Sequence, residues 1–264
     1  MPLATRSAVY RVFEALGESC GVVVHDPDSG EIAFRVRRDW EDFAGEEAEV
    51  LAAIAADLPE KAAEMGAAGF FRWIDADLSN SFSVRAPRPA LRGRSLEASA
   101  QALYRREVSA TEKRYQTHVP LLAMRAAAGG FGGDIEGEET LAWIEAPPSA
   151  PRLTKDHFVI RVEGRSMEPD IPAGSLCLFR RYTGGSRAGR IVLVQRAATS
   201  ESGGEVTLKR YASAKRATGE GSWEHERITM RPDNAELADW NLAPEGEDYR
   251  TIAEFVQVVE EEAG

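Results

Sequence analysis

The period of the apolar positions changes several times along this chain, and each change predicts an element. In residues 7–16, Val12 and Leu16 stand four apart on what would be one helical face, and Gly17 suits the left-handed position after a last turn, so a helix is expected. The runs Val22-Val23-Val24 and Ile32-Ala33-Phe34-Arg35-Val36 flank Asp26-Pro27-Asp28-Ser29-Gly30, in which proline presets φ and glycine accepts a positive φ. A hairpin is expected there. From 46 to 65, Leu51, Ile54, Leu58, Ala62 and Met65 recur every three or four positions, an apolar helical stripe with a kink expected at Pro59 and an end at Gly66 and Gly69. Phe70-Phe71-Arg72-Trp73-Ile74 and Phe82-Ser83-Val84 read as strands, which makes residues 1–86 a small α+β unit. Pro87, Pro89 and Gly93 then suggest a connector. It leads into an amphipathic helix bearing Leu96, Ala100, Leu103 and Val108, with Arg105, Arg106, Lys113 and Arg114 around it, so 87–118 is expected to be a basic linker.

After Val119 the period shortens to two. Phe158-Val159-Ile160-Arg161-Val162, Ser175-Leu176-Cys177-Leu178-Phe179, Arg190-Ile191-Val192-Leu193-Val194, Val206-Thr207-Leu208-Lys209-Arg210-Tyr211, Ile228-Thr229-Met230 and Phe255-Val256-Gln257-Val258-Val259 are strand candidates separated by Gly and Pro. Thr199-Ser200-Glu201-Ser202-Gly203-Gly204 reads as a polar hairpin loop. The expected fold class is an α+β N-terminal domain joined to a mostly β C-terminal domain over 119–264.

Composition narrows the function classes. The 264 residues include no apolar run near the roughly 20 needed to cross a bilayer, so no membrane span is expected. The first residues lack the pattern of an export signal, and two cysteines, Cys20 and Cys177, build no disulfide framework, so a reducing cytoplasm is the expected location. The net charge of −11 disfavours a general attraction to nucleic acid. Its distribution is uneven: residues 1–86 carry eight Lys/Arg against sixteen Asp/Glu, and the basic stretch follows. That stretch reads first as a solvated helix face and second as a nucleic-acid or partner surface. The histidines His25, His118, His157 and His225 are scattered without ligand or triad spacing, and no metal or cofactor is expected.

The chemistry-bearing segment is Val162-Glu163-Gly164-Arg165-Ser166-Met167-Glu168-Pro169-Asp170-Ile171-Pro172-Ala173-Gly174-Ser175-Leu176. It follows a strand, and a serine after glycine at a sharp change of direction would be exposed. Some forty residues on, strand alternation in Val206 to Tyr211 puts Thr207, Lys209 and Tyr211 on one face, so a lysine near Ser166 is geometrically open. These stretches resemble the LexA/UmuD-like self-cleaving Ser-Lys peptidases, the S24-like family. The glycine-x-serine-methionine-x-proline core, the following Ile-x-x-Gly and the later Thr-x-Lys-Arg-Tyr match its nucleophile and base segments. Met230-Arg231-Pro232-Asp233-Asn234 resembles its proline and asparagine segment, and Phe255 to Val259 its last strand. The likeness runs over about 119–259.

The resemblance implies Ser166 as nucleophile and Lys209 as general base. A free lysine has a pKa of about 10.4, so Lys209 would need burial to become neutral near neutral pH. Backbone N–H groups of Arg165 and Ser166 would hold the oxyanion. The substrate implied is the chain itself, cut at Ala128-Gly129 in the Ala/Gly-rich run Ala126-Ala127-Ala128-Gly129-Gly130, for which a flexible linker is the plain alternative. The family also implies a homodimer through the C-terminal domain, an activating recombinase filament and a stress response of the SOS type. Three departures stand out: Ser175 where an acidic residue is usual, an enlarged loop at 199–205, and Ala253-Glu254 in place of a glycine-rich approach to the last strand. Residues 1–86 lie outside the likeness and show no helix-turn-helix; their partner is open. Two rival readings remain, a repressor whose DNA binding ends on autocleavage and a non-catalytic dimeric interaction module.

Overall fold

The computed structural model describes residues 7–78, 82–93, 95–123, 140–196, 206–219, 222–242 and 249–260. The chain divides into two compact units, Met1–Glu112 and Lys113–Glu262. No helix among the described residues is long and apolar enough to cross a membrane.

In the first unit, β1 (Ser7–Ala15), β2 (Glu18–His25) and β3 (Ile32–Val36) form an antiparallel meander. The expected opening helix is therefore a strand. Its buried positions Ala8, Tyr10 and Val12 alternate, and after a register shift at Phe13 and Glu14 the opposite face buries Phe13 and Ala15. Leu16 and Gly17 both have positive φ, 55° and 81°, which is the two-residue hairpin turn matched to strand twist. Gly17 thus closes a hairpin and does not cap a helix. The β2–β3 hairpin forms as expected, its loop pinned by Asp26, whose Oδ1 accepts from the Asp28 and Ser29 N–H groups at 2.9 and 3.2 Å.

A short α1 (Trp40–Ala44) and a 3-10 turn lead into α2 (Ala48–Asp77). The stripe Leu51, Ala55, Leu58 and Ala62 is buried, and Pro59 lies inside the helix without ending it. The interruption falls at Gly66, with φ 65° and ψ 168°, after which the helix resumes through Phe70 to Ile74. That second stretch was expected as a strand. Phe70 and Ile74, four apart, share the buried face, and Arg72 Nε donates to the Ala68 carbonyl one turn back, so the helical period wins over the local aromatic content.

β4 (Phe82–Val84) and β5 (Arg88–Leu91) then pair with the two halves of β1, with Pro89 at the sheet edge, where its missing N–H costs no ladder bond. α3 (Leu96–Glu107) starts at Ser95, whose Oγ accepts from the Ala98 N–H at 3.1 Å. Leu96, Ala100, Leu103 and Tyr104 pack on Ala8, Tyr10, Val12, Val22 and Val24, while α2 covers the other face around Phe13, Cys20 and Val23. The stretch read as a linker is thus a layer of the first unit: its apolar stripe finds the open face of the sheet. Arg106 reaches Tyr10 Oη at 2.8 Å and Glu107 at 3.0 Å. Burial pushes the Cys20 thiol up to about 12, which leaves it an inert core residue.

The second unit holds one nine-stranded sheet: β6 (His118–Leu122), β7 (Thr140–Glu145), β8 (His157–Arg161), β9 (Leu176–Arg181), β10 (Ile191–Arg196), β11 (Val206–Gly219), β12 (Ser222–Arg231), β13 (Trp240–Leu242) and β14 (Tyr249–Glu260). Its spatial order is β13-β12-β11-β10-β14-β9-β8-β6-β7. All six expected strands are present; β6, β7 and β13 are additions. Only β6 and β8 pair in parallel among the strands described. Leu122, Phe158, Ile160, Phe179, Leu193, Leu208 and Ala253 build the core on which the serine-bearing loop sits, and Cys177 is part of it. The loop at 199–204 lies outside the described residues.

Candidate active site

The serine-bearing loop joins two hydrogen-bonded neighbours, β8 and β9, so its ends are held together before any side chain contributes. The Val162 N–H donates to Ser175 O at 2.8 Å and the Gly174 N–H to Val162 O at 2.7 Å, which extends the ladder past the strands and pinches the loop. Gly164, at φ 82°, then turns the chain in a region that a side chain enters only under strain. The Ile171 N–H donates to Met167 O at 2.8 Å, closing the short helical turn expected from sequence. Met167 and Ile171, each 1% exposed, anchor that turn in the core, and the Glu168–Pro169 peptide bond is cis. Ser166 stays half-buried at the start of the turn.

Lys209 lies on β11, opposite Val192 of β10. It is 5% exposed, so most of the water that would solvate an ammonium is excluded. Nζ donates to Thr207 Oγ1 at 2.9 Å, the same-face neighbour two residues back, and to the Leu208 carbonyl at 3.0 Å. The Ser166 hydroxyl donates to that same Leu208 carbonyl at 3.2 Å. One acceptor is therefore shared, which limits the separation of Oγ and Nζ to about 6 Å.

Several residues that the sequence reading left without a role complete the arrangement. The N–H groups of Asp233 and Asn234 donate to Ser166 O at 2.9 and 3.2 Å, and Asn234 Nδ2 donates to Arg165 O at 3.0 Å. Asp233 in turn accepts a fork from Arg210, Nε to Oδ1 at 2.9 Å and Nη2 to Oδ2 at 2.7 Å. Arg210 follows Lys209 on β11, so a closed circuit runs from the serine loop through Asp233 to the lysine strand. The signal for it lay in Lys209-Arg210 and Pro232-Asp233-Asn234. Their pairing needs the fold, because 22 residues, most of them in β11 and β12, separate Arg210 from Asp233 in sequence. Arg165 itself pairs with Glu168 at 2.8 Å, and that hydrogen bond raises its guanidinium further above its ordinary value.

The N–H groups of Arg165 and Ser166 donate no hydrogen bond to any acceptor among the described residues. The Ala128-Gly129 bond lies outside the described residues. Its flanks are described: β6 ends at Leu122 and β7 begins at Thr140, and β6 runs parallel to β8 with Leu122 opposite Ile160. The chain after Leu122 and the chain after Ile160 thus leave the sheet at the same end, and the latter leads to Ser166.

The histidines serve elsewhere. His25 packs on the Phe71 ring at 5.0 Å, His118 Nδ1 accepts from the Lys113 N–H at 3.3 Å, and His157 Nδ1 accepts from the Thr154 N–H at 3.1 Å. The side chain of His225 lies outside the description. No group of His, Cys, Asp and Glu able to hold a metal occurs among the described residues.

A family model described as Peptidase S24-like matches residues 120–256, which takes in Ser166, Lys209, Arg210, Asp233 and Asn234 together. No curated protein matches the chain.

Proposed function

Because the chain belongs to the Peptidase S24-like family, we propose that it is a self-cleaving serine endopeptidase in which Ser166 is the nucleophile and Lys209 the general base. The observation that carries this reading is the Leu208 carbonyl, shared by the Ser166 hydroxyl and the Lys209 amine. The bond cut is Ala128-Gly129. Cleavage releases or inactivates the N-terminal unit in a stress response of the DNA-damage type, with the second unit as a homodimer.

The chemistry runs as follows. Neutral Lys209 accepts the Ser166 proton as Oγ attacks the Ala128 carbonyl carbon, and the developing oxyanion takes hydrogen bonds from the Arg165 and Ser166 N–H groups. One such donor is worth about 3 kcal/mol in the transition state. Collapse breaks the C–N bond, and the Lys209 ammonium returns its proton to the Gly129 amine. Water then attacks the acyl-serine carbonyl, with Lys209 again taking the proton, and collapse breaks the acyl C–Oγ bond as Lys209 returns that proton to Ser166 and the Ala128 carboxyl group is released. Two structural features favour this role for the lysine. Burial disfavours its charged form, and Thr207 Oγ1 and Leu208 O hold Nζ in a fixed position. Small residues at Ala128-Gly129 permit close backbone approach, and the covalent tether makes the attack intramolecular.

The test is intact-mass measurement on the purified chain between pH 7 and 10, with and without a recombinase filament on single-stranded DNA. The expected result is two fragments joined at Ala128-Gly129, formed faster as pH rises and Lys209 loses its proton. A wild-type chain that stays whole under every condition overturns autoproteolysis. Fragments of equal yield from Ser166→Ala overturn the assignment of the nucleophile.

A further inference from the structure

One departure from the family pattern, Glu254, which lies within the last strand β14, has no part in the proposed peptidase chemistry, yet it is 6% exposed. It sits in a row across the sheet: Glu254 of β14 lies opposite Arg180 of β9, and Arg180 opposite His157 of β8. Directly opposed residues share a sheet face, so these three side chains converge. Arg190, just ahead of β10, joins them. Arg180 Nη2 and Arg190 Nη1 both donate to the same atom, Glu254 Oε2, at 3.0 and 2.5 Å. A cavity of about 380 Å³ opens at this point, lined by these four residues together with Arg152, Pro151, Phe255 and Val256. The ladder between β14 and β9 shifts register between Phe255 and Gln257, beside this cavity.

We propose that this cavity binds a phosphate monoester of mononucleotide size. Three guanidinium groups against one carboxylate leave the lining with a net charge near +2, which matches the −1.5 to −2 of a phosphate monoester at neutral pH. Each of the two arginines on Glu254 offers further N–H donors beyond the one it spends there, and fork-shaped donors suit phosphate oxygens. Glu254 fixes both guanidiniums in advance, so little ordering remains for the ligand to impose. His157 adds a neutral donor: burial and Arg180 lower its pKa, and with Nδ1 accepting from the Thr154 N–H its proton sits on Nε2. Pro151 and Val256 give an apolar edge for the rest of the ligand. The volume lies in the range of small-molecule sites.

Titration calorimetry of the full chain with AMP, inorganic phosphate and adenosine tests the assignment. Expected are saturable AMP binding, displacement by phosphate, and adenosine at least about tenfold weaker. Arg152 is exposed, so Arg152→Glu keeps the melting temperature and weakens AMP by at least about tenfold, as does Arg180→Ala, while Arg227→Glu, outside the cavity, leaves it unchanged. A short oligothymidylate separates the two sources of the phosphate. Tenfold tighter binding than AMP, lost in Arg152→Glu, makes it a nucleic-acid strand; weaker binding makes it a free ester. Absence of saturable AMP and phosphate binding overturns the proposal, as does adenosine binding equal to AMP or an equal loss in Arg227→Glu.

Discussion

In the first unit Arg37 and Asp39, each 3% exposed, face each other in a two-bond fork at 3.0 and 2.9 Å, and Asp39 also accepts from the Thr111 N–H. In the second, Lys209 is 5% exposed and gives hydrogen bonds to two neutral oxygens. Both units bury a cation, but with different surroundings. In the first, the Asp39 carboxylate cancels the charge and, through the Thr111 N–H, ties two segments together; in the second, a hydroxyl and a carbonyl orient the amine. The first arrangement serves stability. The second, on the function proposed above, serves proton transfer, and it lies beside a serine.

The comparison breaks at its strongest point if the Ser-Lys pair is removed. Ser166→Ala and Lys209→Ala are each expected to slow self-cleavage by at least about 10³-fold, read by intact mass, while leaving the melting transition of the first unit in place. Next in size, Asp39→Ala strands the Arg37 guanidinium in the core and is expected to cost about 3–5 kcal/mol in denaturant unfolding of the first unit, with the cleavage rate unchanged in the folded chain. Burial alone would raise the Asp39 carboxyl, yet Arg37 and the Thr111 N–H hold it well below the usual carboxylate range. A depressed carboxyl contributes stability above its unfolded pKa of about 3.9, and that contribution is lost as pH falls below it. Acid titration of the first unit followed by circular dichroism, wild type against Asp39→Asn, reads this directly: the wild type should lose more of its stability than the variant on acidification.

Asp233→Ala sharpens the contrast inside the second unit. It removes the fork from Arg210 while the backbone bonds to Ser166 O remain, so the loop loosens and cleavage falls by about 10- to 100-fold with the fold kept. Arg210→Lys, with Asp233 in place, should keep only part of the rate, since a lysine cannot form the fork. The smallest effect belongs to Gly66→Ala in α2. Nothing lies within 4 Å of the added Cβ, so the cost is the backbone alone: φ 65° with ψ 168° is a region essentially reserved for glycine, and about 1–3 kcal/mol is expected in the first unit with no change in cleavage.

The legibility of the two units differed for a physical reason. Six of the nine second-unit strands are β-rich apolar runs bounded by Gly and Pro, so they were readable in isolation, whereas β6, β7 and β13 were not. In the first unit, the helix reading of the opening segment rested on Val12 and Leu16 alone, and Phe70 to Ile74 is aromatic enough to read as strand; what decided both was which face found a partner. Likewise Leu96, Ala100, Leu103 and Val108 were legible as a helix, but a sequence does not say that Ala8, Tyr10 and Val12 await them.

By itself the sequence determined the chemical types: a serine after Gly164 at a turn, a lysine alternating with Leu208, and a motif order that marks the family. It did so because backbone turns and strand periodicity are local properties. Only the tertiary structure decided which polar atoms meet. The Leu208 carbonyl between Ser166 and Lys209, the Arg210 fork on Asp233 and the convergence of Arg180 and Arg190 on Glu254 join atoms 42, 23 and 74 or 64 residues apart. Such contacts are set by strand order and register, which depend on how whole hydrophobic faces are buried and not on any one residue's neighbours in the chain.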